Sequence, residues 1–218
     1  MCPRVLKWTS SKLLQGHKVA MATVISATGS VPGKPGARIS ITDIGETFGT
    51  IGGAGLEFKV LKKLQALIEK EEAGGIIEIF ALNKGAKGFE VVALDSLCGG
   101  KVTISMEVVS PMPHVLLFGG GHVAKAIVSI IEQLGWNYSI HDTREEYSND
   151  SIFPSAVELH CNDVKEFLKN EDNVTLRRFS DILLLGHDWK EDEERLIGLL
   201  KILQDSISSR PKIGVIGS

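Results

Sequence analysis

His114-Val115-Leu116-Leu117-Phe118-Gly119-Gly120-Gly121-His122-Val123-Ala124 is the stretch on which the fold turns. Its first five residues form an apolar run of the kind that is buried on both faces of a parallel sheet. The run passes through glycines straight into a helical pattern. Gly119-x-Gly121-x-x-Ala124 fits the glycine fingerprint of a dinucleotide-binding turn. The first glycine permits a tight strand-to-helix turn, the second lets backbone N–H groups approach a phosphate, and the small third residue lets the helix pack close to the strand. The helix N-terminus then presents free N–H groups and a positive dipole end to an anion.

The pattern continues downstream. A helix is predicted over Val123 to Leu134 with Gly135 as its stop, then a strand over Asn137 to His141. Asp142 closes that strand, 23 residues after Gly119, where a spacing of about 20 is usual. An aspartate there hydrogen-bonds ribose hydroxyls and disfavours a 2′-phosphate, and Arg144 softens that preference. Further elements are expected at Val157 to His160 (strand), Asp163 to Lys169 (short helix), Asp181 to Leu185 (buried strand), Glu191 to Ser206 (helix, with Leu196, Leu199, Leu200 and Leu203 on one face) and Ile213 to Ile216 (strand). Alternation with short connections predicts a parallel, doubly wound sheet. The chain stops at Gly217-Ser218 directly after a strand, so a Rossmann domain truncated at its C-terminus is expected.

Upstream, Ser110-Pro111-Met112-Pro113 marks a boundary, because prolines two apart force an extended connection. Residues 1–110 read as an N-terminal α+β domain and 111–218 as a C-terminal Rossmann-type α/β domain. In the first, strands are expected at Val19 to Ala27, Arg38 to Thr42, Thr47 to Ile51, Ile76 to Phe80, Val91 to Leu94 and Val102 to Val109. Thr28 to Gly36 holds three glycines and two prolines and reads as a loop, and Asp43 to Glu46 as a turn. Leu56, Val60, Leu61, Leu64, Leu67 and Ile68 recur at helical spacing and predict a helix that ends near Ala73-Gly74-Gly75.

Composition narrows the function classes. With 43% hydrophobic and 23% charged residues among 218, the chain has ordinary globular composition and length enough for a core without disulfides. A formal net charge of -3 gives no support to a nucleic-acid or anionic-membrane partner. No apolar run reaches the roughly 18 residues of a membrane span, and the N-terminus shows no signal peptide. The cysteines are Cys2, Cys98 and Cys161, an odd number without close metal-ligand spacing. A reducing, cytoplasmic setting follows.

Several residues are candidates for chemistry. Gly49 to Glu57 contains Gly52 and Gly53 in a second glycine-rich strand-to-helix passage. It presents N–H groups to an anion, or is a tight turn with Glu57 as its capping carboxylate, and the physics favours the turn. Cys98, beside Gly99 and Gly100, is either a turn thiol or a small buried hydrophobe. His122, His141, Asp142, His187 and Asp188 should line the carboxyl-end rim of the sheet, where ligands of open α/β sheets sit. Such a cluster suits ligand contact, proton transfer or metal, but no short His-x-x-His spacing points to zinc.

Four segments in order match a known family: Ala22 to Pro32; Gly49 to Glu57; Cys98-Gly99-Gly100-Lys101-Val102; and His114 to Ala124 together with Leu185-Gly186-His187-Asp188. The chain resembles the xanthine dehydrogenase accessory proteins of the XdhC/CoxI family over nearly its whole length. The resemblance implies a molybdenum cofactor-binding (molybdopterin-binding) maturation factor. Such a factor protects the cofactor, presents it for sulfuration by a cysteine desulfurase, and passes it to a xanthine dehydrogenase-type molybdenum hydroxylase. It implies cofactor contacts from Gly52, Gly53, Glu57, Cys98, Gly119, Gly121, His122, Asp142 and His187; exposed strand edges, separately, make a homodimer an expectation. Many relatives carry a cysteine in the first-domain loop where this chain has Ala54-Gly55, which leaves Cys98 for that role, and relatives continue beyond Ser218.

The alternative is an enzyme or a sensor: an NAD(P)-binding oxidoreductase, or a nucleotide sensor, using the Gly119–Ala124 turn. An oxidoreductase needs a charged substrate anchor and an acid–base residue. The first domain offers glycine loops, one thiol, and no arginine beyond Arg4 and Arg38. That balance favours a non-enzymatic chaperone over hydride chemistry.

Overall fold

The computed structural model describes residues 3–70, 74–82, 91–93, 99–204 and 211–216. The chain divides into two compact units, Met1–Pro111 and Met112–Ser218.

The first unit contains α1 (Pro3–Leu14), β1 (Val19–Thr28), β2 (Arg38–Thr42), β3 (Thr47–Thr50), α2 (Ala54–Glu69), β4 (Gly75–Ala81), β5 (Val91–Ala93) and β6 (Lys101–Val109). Its strands form a six-stranded sheet in the order β3-β2-β1-β6-β4-β5. All pairs are antiparallel except β4 with β5. Between Val24 and Ser26 the β1–β6 register slips, which leaves Ile25 54% exposed. Helix α2 buries Leu56, Val60, Leu64 and Ile68 against Ala22, Val24, Val102, Ile104 and Met106. Leu61 and Leu67, grouped with them by spacing, pack only at the margin. Helix α1 has no counterpart among the elements expected from the sequence. Only Val5 and Thr9 are buried along it, so its apolar stripe is faint. It is held by a Thr9–Ser40 hydroxyl pair at 3.1 Å and by Trp8 stacked on Phe48.

The second unit contains β7 (His114–Phe118), α3 (His122–Gln133), β8 (Asn137–His141), β9 (Glu158–His160), α4 (Val164–Asn170), β10 (Asp181–Leu184), α5 (Trp189–Leu203) and β11 (Lys212–Val215). All strand pairs are parallel, in the order β11-β10-β7-β8-β9. The order reverses between β7 and β10, which makes their C-terminal ends the switch point of a Rossmann-type sheet. Two apolar layers cover the sheet. Val115, Leu117, Tyr138 and Ile140 pack with Ala124, Val128 and Ile131 of α3. Leu116, Phe118, Ile182 and Leu184 pack with Phe167 of α4 and with Leu199 and Leu203 of α5. Leu200, expected on the same face of α5, is 55% exposed. The fold is therefore α/β: an α+β unit followed by a Rossmann-type parallel unit.

Among the described residues no helix is long and apolar enough to cross a membrane.

Candidate functional site

The strand ends at the switch point place Gly119 and Gly121 after β7, Asp142 after β8 and His187 after β10. Gly119 adopts φ 106°, a left-handed value that glycine tolerates at no steric cost. Its N–H donates to the His141 carbonyl at 2.8 Å, and a Cβ there would lie 2.8 Å from the Leu185 oxygen. The turn and the end of β10 are thus in direct backbone contact. A Cβ on Gly120 would sit 1.8 Å from the Tyr147 oxygen, so the segment after β8 packs directly on the turn. At Gly121 a Cβ would meet nothing within 4 Å.

The helix starts differ in how their N–H groups are satisfied. Asp188 caps α5 through the Lys190 N–H at 2.8 Å, and Asp163 caps α4 through the Glu166 N–H at 2.8 Å. At α2 the N-cap Gly53 likewise has no capping side chain, but Glu57 in its first turn takes the N–H groups of the preceding Ile51 (3.2 Å) and Gly52 (3.0 Å) and the Thr50 hydroxyl, so a carboxylate already sits at that helix start. Helix α3 has neither a capping side chain at Gly121 nor an acidic residue in its first turn. Its first N–H groups therefore fit an external anion such as a phosphate, and His122 stands exposed beside them.

Asp142 is not an open rim residue. It is 2% exposed. Its Oδ2 accepts from Gly120 N–H (2.9 Å) and Arg144 Nη2 (3.0 Å), and its Oδ1 from Arg144 N–H (3.0 Å) and Nε (2.9 Å). Burial works to raise its pKa, but the Arg144 guanidinium and the two N–H donors outweigh that and hold it below the usual range. His141, expected on the rim, is also buried. Strand parity aims it into the layer under α4, between Phe118 (5.0 Å) and Phe167 (4.8 Å). Burial, then the nearby Arg195 and His160, lowers its pKa to about 4 against an opposing contribution from the Asn162 side chain. His187 lies exposed between β10 and α5.

Beneath the His187 loop lies a charged network that sequence reasoning missed. Asp192 Oδ2 accepts the Gly186 N–H at 2.9 Å, and its Oδ1 accepts from Arg195 at 2.8 Å. Arg195, 2% exposed, also bonds Glu191 at 2.9 Å, and its guanidinium lies over the Phe118 ring. Glu191 in turn receives the Thr143 hydroxyl at 3.5 Å, at the long limit of a hydrogen bond. One buried arginine thus links the ends of β7, β8 and β10. The i,i+3 and i,i+4 spacing of Asp192 and Glu191 from Arg195 was visible in the sequence, but such pairs are ordinarily solvated. A cleft of about 650 Å³ opens beside this network, lined by Thr143, Asp163, Glu166, Lys169, Glu191 and Glu194 among others. None of the residues chosen from the sequence lines it.

In the first unit the Gly52–Gly53 passage is satisfied from within. Gly52 and Gly53 have φ 82° and 83°, and Cβ atoms there would lie 2.7 and 2.8 Å from Pro32. Cys98 lies outside the described residues. Cys161 is free and exposed at the end of β9. Among the described residues no three His, Cys, Asp or Glu side chains group as a metal site.

Comparison with known proteins places these features in a context. Residues 13–79 match the family model of the XdhC and CoxI family, and residues 115–218 match that of the XdhC Rossmann domain. Over 146 residues, 66% of this chain, the sequence is 32% identical to the uncharacterized protein YqeB of Escherichia coli (strain K12). The matched span is 26% of YqeB's length. A crystal structure of a xanthine dehydrogenase from Bacillus halodurans is 17% identical with a TM-score of 0.41, covering 95% of this chain and 80% of that one. That likeness is too slight to argue from.

Proposed function

The chain belongs to the XdhC and CoxI family, and from that premise we propose that it is an accessory protein of xanthine dehydrogenase maturation that binds the molybdenum cofactor. In this reading it protects the cofactor, offers it to a cysteine desulfurase for sulfuration, and delivers it to a molybdenum hydroxylase in the cytoplasm. A homodimer belongs to the same proposal.

The observation that carries the reading is the presence, in order along one chain, of both family matches. Within the second unit, the uncapped start of α3 after Gly121 supports it. Its N–H groups and dipole suit the cofactor's phosphate, and the open space at Gly121 admits a close approach. His122 and His187, exposed at neighbouring strand ends, supply polar contacts to the pterin. In the first unit Gly52, Gly53 and Glu57 form a rigid turn, and their contribution to the cofactor is to hold that loop in one shape. The cofactor itself supplies a dithiolene for molybdenum; the chain's part is to bind, orient and shield it. Against the dinucleotide reading stands Asp142, the acidic group expected at the ribose, whose carboxylate is already occupied by Gly120 and Arg144.

The test is delivery. An apo form of a xanthine dehydrogenase-type hydroxylase is incubated with molybdenum cofactor and a cysteine desulfurase, with and without the full chain. Faster or fuller activation with the chain supports the proposal; identical activation curves reject it.

A further inference from the structure

We propose that Arg144 is a latch that denies the Rossmann turn to dinucleotides. An ionised carboxylate offers about four acceptor positions on its two oxygens. At Asp142 they are taken by Gly120 N–H, Arg144 N–H, Arg144 Nε and Arg144 Nη2, all between 2.9 and 3.0 Å. A ribose diol must donate to this carboxylate, and it finds no free position.

Two further features keep the latch shut. The Arg144 guanidinium lies 3.9 Å from the centroid of the Tyr147 ring, so it is held on its far side by an aromatic face. The Tyr147 carbonyl in turn presses on Gly120, where even a methyl group would collide. The two-pronged pair with a carboxylate that is 2% exposed is charge-assisted on both prongs, whereas a ribose hydroxyl offers only neutral donors. Exchange therefore runs against the nucleotide. Two glycines of the turn serve the fold itself: Gly119 of the fingerprint for its positive φ, and the intervening Gly120 for the approach of Tyr147.

This inference is independent of cofactor binding, and either can fail alone. The experiment is calorimetric titration of the full chain with NAD, NADP and ADP-ribose. The variants are Arg144→Ala, Arg144→Gln and the double change Arg144→Ala with Asp142→Asn, each checked by thermal melting. The glutamine variant keeps a neutral amide donor but neither the charge nor the two-pronged fork, and stands in should the alanine variant melt early. The wild type is expected to show no binding at millimolar ligand. Arg144→Ala should bind NAD about tenfold to a hundredfold more tightly than the wild-type limit, the ordinary worth of a hydrogen bond to a carboxylate. Adding Asp142→Asn should remove the gain. Micromolar binding of NAD or NADP by the wild type overturns the latch. So does the absence of any gain in a folded Arg144 variant.

Discussion

The Gly52 N–H and the Glu57 Oε1 are joined at 3.0 Å, and the same carboxylate oxygen takes the Ile51 N–H and the Thr50 hydroxyl. A passage that reads in sequence as an anion cradle is therefore closed by its own side chain, one turn into the helix it precedes. Glu57→Ala should lower unfolding stability by about 1–3 kcal/mol, since it leaves backbone donors unpaired. Glu57→Gln, which keeps a carbonyl acceptor, should lose less. Chemical denaturation of the three proteins checks this; an alanine variant as stable as the wild type contradicts it.

Gly120 and Gly121 are adjacent, yet substitution should separate them. Gly120→Ala drives a Cβ into the Tyr147 oxygen and should cost about 3 kcal/mol or more. Gly121→Ala has open space and an ordinary φ of -73°, so it should cost only about 1 kcal/mol or less, the loss of glycine at a helix N-cap. Equal destabilisation of both would show that Tyr147 does not pack on the turn as described.

Arg195 is 2% exposed and paired to Asp192 and Glu191. Arg195→Ala strands the Asp192 carboxylate, 8% exposed, without its cation and should cost about 3–5 kcal/mol. The Gly186 N–H, held by Asp192, should then exchange with deuterium faster than in the wild type. A melt unchanged by Arg195→Ala contradicts the network.

Acid should destabilise the second unit in a defined window. His141 and His114 are held near a pKa of about 4, burial being the largest cause for each, against 6.5 in the unfolded chain. Between those values the unfolded state binds more protons, so stability falls as pH drops from 6.5 toward 4. The slope is at most about 1.4 kcal/mol per pH unit for each histidine. Glu158, which burial works to raise but which His160 and Arg178 bring down to about 2, extends the loss below pH 4.5. His141→Leu should flatten the upper part of this dependence. It should cost little at neutral pH, because the ring is held mainly between Phe118 and Phe167 and a leucine keeps that packing. A melting temperature flat from pH 7 to 4 contradicts this.

Much of the fold was legible because its signals are local. The apolar run of β7, the glycines after it and the period of α2 each decide their own element. Helix α1 was not legible, since only Val5 and Thr9 are fully buried and its other apolar residues, Leu6, Trp8, Leu13 and Leu14, are half-buried or exposed. At the site, position was legible but state was not. The spacing put Asp142 at the end of β8, but not that Arg144 folds back to fill its carboxylate. It put His141 on the same strand end, whereas strand parity turns the ring beneath Phe167. Arg195 and its acids form a common helical charge pattern, and only packing over Phe118 buries it.

Cofactor retention shows whether the uncapped start of α3 holds the cofactor's phosphate. Molybdenum cofactor is mixed anaerobically with the wild type and with Gly121→Ala, and each is gel-filtered, with pterin fluorescence read after oxidation. Co-elution is expected with the wild type, and clear loss with Gly121→Ala at a temperature where both proteins are folded. Cofactor eluting free of the wild type, or retained equally by both proteins, would contradict it.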